Sequence, residues 1–233
     1  MVKSMVKKLL HKRGLELSRS PDVLTFLEFH NVDLVLDVGA NEGQYGSGLR
    51  ERGYRGRIWS FEPLPSAFEK LQFRSVRDDR WNVTRTAIGA VPGQATLHVS
   101  QLSVFSSIKS ANEIAHAFDE RVSVVDNQTV SVDTLDNLVA ADSAQRIFLK
   151  IDTQGFEKEV LEGASSLRQN LVGIQLEIPI TNLYDDVWTF VECMSYMDAI
   201  GYCPAQFKVV NVRREDPASA IEFDCIFRHK DHP

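Results

Sequence analysis

The stretch Val35-Leu36-Asp37-Val38-Gly39-Ala40-Asn41-Glu42-Gly43 ends an apolar run with a carboxylate and two spaced glycines. Strand, glycine turn and following helix together make the usual cradle for a nucleoside-containing cofactor. A turn that grips a pyrophosphate presents bare backbone N–H groups, and a carboxylate beside them repels the ligand. Asp37, just ahead of Gly39, suits a ligand of positive charge instead. S-adenosylmethionine carries a sulfonium and an ammonium and no phosphate, so the turn reads as a methyl-donor site, with Asp37 drawing the ammonium directly or through water. Gly39 and Gly43 admit positive φ or a close ligand approach. The amides of Glu42, Gln44 and Tyr45 open the helix and can cap a ligand carboxylate. Alone, the segment is also compatible with an ordinary glycine-rich turn.

Glu62 adds a second carboxylate at the end of the next strand-like run, before Pro63, where it can accept both hydroxyls of a ribose. Ala87-Ile88-Gly89 offers small and apolar contact to an adenine ring, or a tight packing turn. Further on, Lys150-Ile151-Asp152-Thr153-Gln154-Gly155-Phe156-Glu157 places Asp152 at a strand end and Glu157 in the first turn of a helix, where the helix dipole favours an acid. Glu177 follows near the end of another strand. Three acids at one sheet edge can hold a divalent cation or supply a general base, and the residue types leave both open. Asp152 is the favoured base or orienting residue. His116 is a second catalytic candidate and His98 an alternative, although a lone histidine is more often structural.

Alternating strand-like and helix-like segments are needed to position these groups, and they favour an α/β layered fold with a largely parallel sheet. The patterns predict strands at about 33–37, 57–61, 81–86, 146–151 and 172–178. Helices are predicted at 43–52, 65–75 and 156–167, the second burying Phe68, Leu71 and Val76. Val187, Phe190, Val191, Met194 and Met197 recur at helical spacing and read as core. Segments 205–212 and 221–228 read as a terminal antiparallel hairpin. Less regular sequence at about 95–132 reads as an insertion between the third and fourth core strands, where substrate contacts often reside. No repeat or linker divides the chain, so a single domain is expected over 31–233, after a basic helical segment over 1–30.

The chain has 233 residues and a net charge of −6, which argues against a dedicated nucleic-acid binder because duplex binding needs a basic face. Cys193, Cys203 and Cys225 show no metal-ligand spacing and fit a reducing cytosol. No apolar run approaches the roughly 20 residues that span a bilayer. Against the acidic average, residues 1–13 carry Lys3, Lys7, Lys8, Lys12 and Arg13 and no acid. The segment is too polar for a secretory signal. It reads as a solvated first helix or as a basic amphipathic helix resting on the inner face of a membrane.

Taken together, the motifs resemble the FkbM-type S-adenosylmethionine-dependent methyltransferases. The likeness rests on Val35 to Tyr45, Phe61-Glu62-Pro63, Thr86-Ala87-Ile88-Gly89 and Ser103-Val104-Phe105-Ser106-Ser107. It continues through Val132-Asp133-Thr134-Leu135-Asp136, Phe148 to Glu157 and Ile174-Gln175-Leu176-Glu177, so it spans about 33–178. The resemblance implies a class I methyltransferase (Rossmann-like) fold: a seven-stranded, mainly parallel sheet with helices on both faces and an antiparallel last strand. It implies methyl transfer to an oxygen of a sugar or polyketide in natural-product or glycolipid biosynthesis. It also implies cofactor contacts at Asp37, Gly39, Asn41, Gly43 and Glu62, with Ala40, Gln44, Tyr45, Pro63, Ala87, Ile88 and Asp152 beside them. Ser106 and Ser107 match a serine pair bordering cofactor or acceptor. Thr153 departs from the family, which usually has an apolar residue there. The competing readings are a nicotinamide-dependent oxidoreductase, a cofactor-fold binding module without catalysis and, more weakly, a nucleic-acid methyltransferase. The last lacks a basic groove.

Overall fold

The computed structural model describes residues 21–139, 142–213 and 216–232. In chain order come α1 (Val23–Phe29), β1 (Leu34–Val38), α2 (Gln44–Glu51), β2 (Arg57–Phe61), α3 (Pro65–Ser75) and β3 (Trp81–Thr84). There follow β4 (Ala87–Ile88), β5 (Gly93–Ser100), α4 (Glu113–Phe118), β6 (Val124–Asp133), α5 (Leu135–Val139) and β7 (Ile147–Ile151). The last are α6 (Glu157–Glu162), β8 (Leu171–Pro179), α7 (Phe190–Ala199), β9 (Tyr202–Val212) and β10 (Ala220–His229).

Seven strands form one sheet in the order β3-β2-β1-β7-β8-β10-β9. β1 pairs parallel with β2 and β7, while β10 runs antiparallel to both β8 and β9. The expected sheet, mainly parallel with an antiparallel last strand, is therefore the one that forms. β5 and β6 make a long antiparallel pair in a separate sheet with β4.

Strand parity sorts the core into two layers. Leu34, Leu36 and Val38 of β1 face Leu135, Val160, Leu161, Cys193 and Met197 from α5, α6 and α7. Val35 faces the other way, among Phe26, Leu27, Leu49 and Leu71 from α1, α2 and α3. Side chains alternate across a strand, so a strand covered by helices on both faces must be apolar at every position but those given over to a site. Each such fully buried side chain contributes about 1.5–3 kcal/mol.

Several details depart from expectation. α1 belongs to this core, although the sequence places residues 23–29 in the N-terminal segment; the basic stretch 1–13 lies outside the described residues. Val76 and Val191 are about 70% exposed, not buried, because each falls on the solvent side of its helix. α6 ends early, at Glu162, since Gly163 packs on the Gly89 carbonyl so closely that a Cβ would come within 2.0 Å of it. Cys193 and Cys225 are buried free thiols and Cys203 is half-buried. Among the described residues no helix is long and apolar enough to cross a membrane.

Candidate active site

A cleft of about 570 Å³, its mouth included, opens at the carboxyl ends of β1, β2, β4 and β7. Its walls are Val38 and Gly39 after β1, Phe61, Glu62 and Pro63 after β2, Ala87 and Ile88 of β4, and Asp152, Thr153 and Gln154 after β7. Leu97, Phe156 and a loop holding Ser103, Val104, Ser106, Ser107 and Ile108 close it. Open α/β sheets bind ligands at this edge. Among the described residues the charged groups in the lining are two carboxylates, Glu62 and Asp152, with no lysine or arginine.

Glu62 is held by the turn it faces. Its Oε2 accepts the Asn41 N–H at 2.8 Å and its Oε1 the Leu64 N–H at 2.8 Å. Each oxygen keeps further acceptor capacity, which suits a vicinal diol. Burial pushes its pKa up to about 7, against the opposing pull of those two backbone hydrogen bonds. Asn41 takes the left-handed conformation, φ 47°, and its side-chain amide lies 3.3 Å from the Ser103 hydroxyl, tying the turn to the covering loop. Gly39 has φ 73°, and a Cβ there would lie 1.9 Å from the Asp152 carbonyl oxygen, so β1 and β7 close on each other only around a glycine.

Asp37, expected to draw a ligand ammonium directly or through water, is fully buried and stands behind the wall of the cleft. The reason is parity: with Val38 turned toward one layer, Asp37 turns into the other, beside its register partner Lys150. The Lys150 ammonium stands 3.2 Å from Asp37 Oδ1, and Ser60 donates to Oδ2 at 3.0 Å. Trp81 Nε1 donates in turn to Ser60 Oγ. Burial opposes the charge on Lys150, but Asp37 and then Asp152 outweigh it and hold the ammonium protonated. Lys150 of the neighbouring strand β7 thus faces the charge of Asp37, while among the described residues no donor completes a hydrogen bond to Asp37 Oδ1.

Asp152 is the carboxylate left open, its side chain 41% exposed. Lys150 approaches its Oδ2 at 3.5 Å, and Gln154 Nε2 donates to its Oδ1 at 2.8 Å. The same Gln154 nitrogen donates to Glu177 Oε2 at 3.0 Å, and Tyr184 donates its hydroxyl to Gln154 Oε1 at 2.8 Å. Glu177 is pushed well above the usual carboxylate range by burial, then by the charges of Asp152 and Glu222. Beyond Gln154 lies a second cavity, about 340 Å³, walled by Gln154, Glu157, Glu177, Tyr184, Trp188 and Glu222 among others. Glu157 is turned to structure: its Oε1 accepts from Thr153 N, Thr153 Oγ1 and Gly155 N, pinning the loop. Thr153, the residue that departs from the family pattern, is thereby used as a donor.

The structure brings Gly39, Glu62, Pro63, Ala87, Ile88, Ser106, Ser107 and Asp152 to one cleft. Asn41 joins through its contacts. Ala40 is buried behind the turn. Gly43 caps α2 with φ 85°, and Gln44 follows it. Tyr45 leaves for the other layer, where its hydroxyl donates to Gln175 Oε1 at 3.0 Å. His116 is exposed on α4 and lines neither cavity, and His98 pairs with Asn127 on β5. Among the described residues no group of three or more His, Cys, Asp or Glu is arranged to hold a metal ion. Leu97, Ile108, Gln154 and Phe156 are wall residues that the sequence did not single out. Gln154 and Phe156 stood inside the recognised motif; Leu97 and Ile108 have no local signal.

The sheet order, with its cleft at the carboxyl edge, is that of the class I methyltransferase fold. The chain belongs to the FkbM methyltransferase domain family, whose model matches residues 37–203. Solved structures similar to it include the methyltransferase domain of bacterial CtHen1-C, at 12% identity and TM-score 0.46, over 89% of this chain and 94% of that one. A TehB-like S-adenosylmethionine-dependent methyltransferase from Corynebacterium glutamicum is similar over 98% of this chain and 96% of that one, at 11% identity and TM-score 0.44. No curated protein matches the chain in sequence.

Proposed function

We propose that this methyltransferase uses S-adenosylmethionine to methylate a hydroxyl oxygen of a sugar carried by a glycolipid or natural product. The observation that carries the donor is the charge of the cleft: among the described residues two carboxylates and no cationic side chain line it. A dinucleotide would set its diphosphate against those acids, whereas a sulfonium and an ammonium are drawn to them. Glu62 is placed to accept the ribose hydroxyls, Ile88, Leu97 and Phe156 to cover the adenine, and Asp152 to meet the ammonium. When bound, the donor supplies an activated methyl group on sulfur.

The protein's part is mainly positioning, which converts a bimolecular displacement into an effectively unimolecular one. The first cavity orders the donor. The second, across Gln154, gives the acceptor a place of its own, with carboxylates and aromatic rings suited to a sugar's hydroxyls and flat faces. Asp152 at the junction faces the space where an acceptor hydroxyl loses its proton. Residues 1–13 would bring the protein to the inner face of an anionic membrane and so to a lipid-linked acceptor.

Titration calorimetry with S-adenosylhomocysteine and with NAD separates this reading from the oxidoreductase: saturation by the former and no heat from the latter is expected. The reverse pattern ends the proposal. Labelled methyl transfer from S-adenosylmethionine to alkyl glycosides distinguishes an enzyme from a silent binding module: transfer is expected, and its absence at saturating donor ends the enzymatic reading.

A further inference from the structure

We propose that Gln154 is a positioning residue for the cationic end of the methyl donor, holding the Asp152 carboxylate at the junction of the two cavities. The inference rests on the donor reading above and goes beyond it by assigning how Asp152 is kept in place. With Lys150 closer to Asp37, Asp152 is the carboxylate available to an ammonium, yet its side chain is partly exposed and Lys150 reaches it only at 3.5 Å. Gln154 removes that freedom. Its Nε2 reaches Asp152 Oδ1 at 2.8 Å and Glu177 Oε2 at 3.0 Å, so both amide hydrogens are committed to carboxylates. The amide is held in this orientation by the Tyr184 hydroxyl, 2.8 Å from Oε1.

The backbone is equally committed. Gln154 holds φ 56°, a left-handed conformation unfavourable to a residue with a side chain, and Gly155 beside it holds φ 101°. Ser107 from the covering loop donates to the Gln154 carbonyl at 2.6 Å. The strained residue is therefore held from three directions, and its side chain forms a wall of both cavities. A neutral side chain with two donors bridges the two acids, so that Asp152 is tied through Gln154 to the buried Glu177.

The test compares two ligands that share adenosine and a thioether. S-adenosylhomocysteine has the amino-acid end and 5′-methylthioadenosine lacks it. Gln154→Glu keeps size and the Tyr184 bond but removes the donors, and Gln154→Ala removes the side chain. Calorimetry is expected to show S-adenosylhomocysteine weakened about tenfold in both variants, the worth of one charge-assisted hydrogen bond. Binding of 5′-methylthioadenosine should stay within about twofold, which also reports an intact fold. Tyr184→Phe, which frees the amide to flip, should give a smaller loss of the same selectivity and decides the matter if a Gln154 variant fails to fold. Equal weakening of both ligands in the variants that fold, or no weakening of S-adenosylhomocysteine, overturns the assignment. Wild-type protein binding neither ligand overturns the donor reading, and this assignment with it.

Discussion

Glu62 carries a pH dependence that binding should report. Its pKa is raised to about 7, so the side chain is a carboxylate above that pH and a neutral acid below it. Ribose hydroxyls donate to the carboxylate, and donor affinity should be greatest above pH 7 and fall by up to about tenfold per pH unit below it. Glu62→Gln should bind more weakly and without that slope; a slope unchanged in the variant would remove Glu62 from the site. The same shift has the opposite sign for stability: the contribution is full below 4.5 and lost as pH rises through 7. Lys150 makes the second prediction at this scale. Lys150→Met leaves Asp37 buried without a counter-charge and should cost about 3–5 kcal/mol in urea unfolding. Adding Asp37→Asn should recover most of that loss. None of this pairing is legible along the chain, because Asp37 and Lys150 meet only through strand register. The motif showed that a carboxylate stood there and not which way it turned.

Local pattern foretold the elements better where one face alone decides them. β2 and α3 occupy the expected 57–61 and 65–75, since an apolar run before Glu62-Pro63 and a proline in the first helical turn are both local signals. α6 shows the limit: apolar spacing continues through Leu167, but the helix stops at Glu162 because Gly163 is pressed against Gly89, a contact from another part of the chain. The strand–turn–helix unit of β1 and α2 depends on a similar approach. Gly39→Ala would adopt positive φ at a cost of about 1–2 kcal/mol, and its methyl would also meet the Asp152 carbonyl. The expected outcome is a lowered melting temperature together with loss of S-adenosylhomocysteine binding, as β1 and β7 are forced apart under the cleft. A variant with wild-type melting and binding would show that the two strands need no such contact.

At the scale of the whole molecule, the parallel sheet was legible because alternating elements leave few topologies, while the division of the site into two cavities was not. That division depends on Gln154 meeting Tyr184, a residue 30 positions further along the chain. Charge is also a property of the whole chain, and it is unevenly spread. The net value of −6 includes five basic residues and no acid within 1–13, so the remainder is more acidic than the total. An acidic body is repelled by an anionic bilayer, and a basic segment near its surface gains about 1 kcal/mol per lysine or arginine. The full chain should therefore sediment with vesicles containing phosphatidylserine at low salt and be released as salt screens the attraction. Deletion of residues 1–13 should abolish that binding and weaken methyl transfer to an acceptor embedded in vesicles. Transfer to a short soluble glycoside should be spared, because such an acceptor needs no membrane to reach the cleft. Equal loss on both acceptors would assign the segment to folding instead of to the membrane.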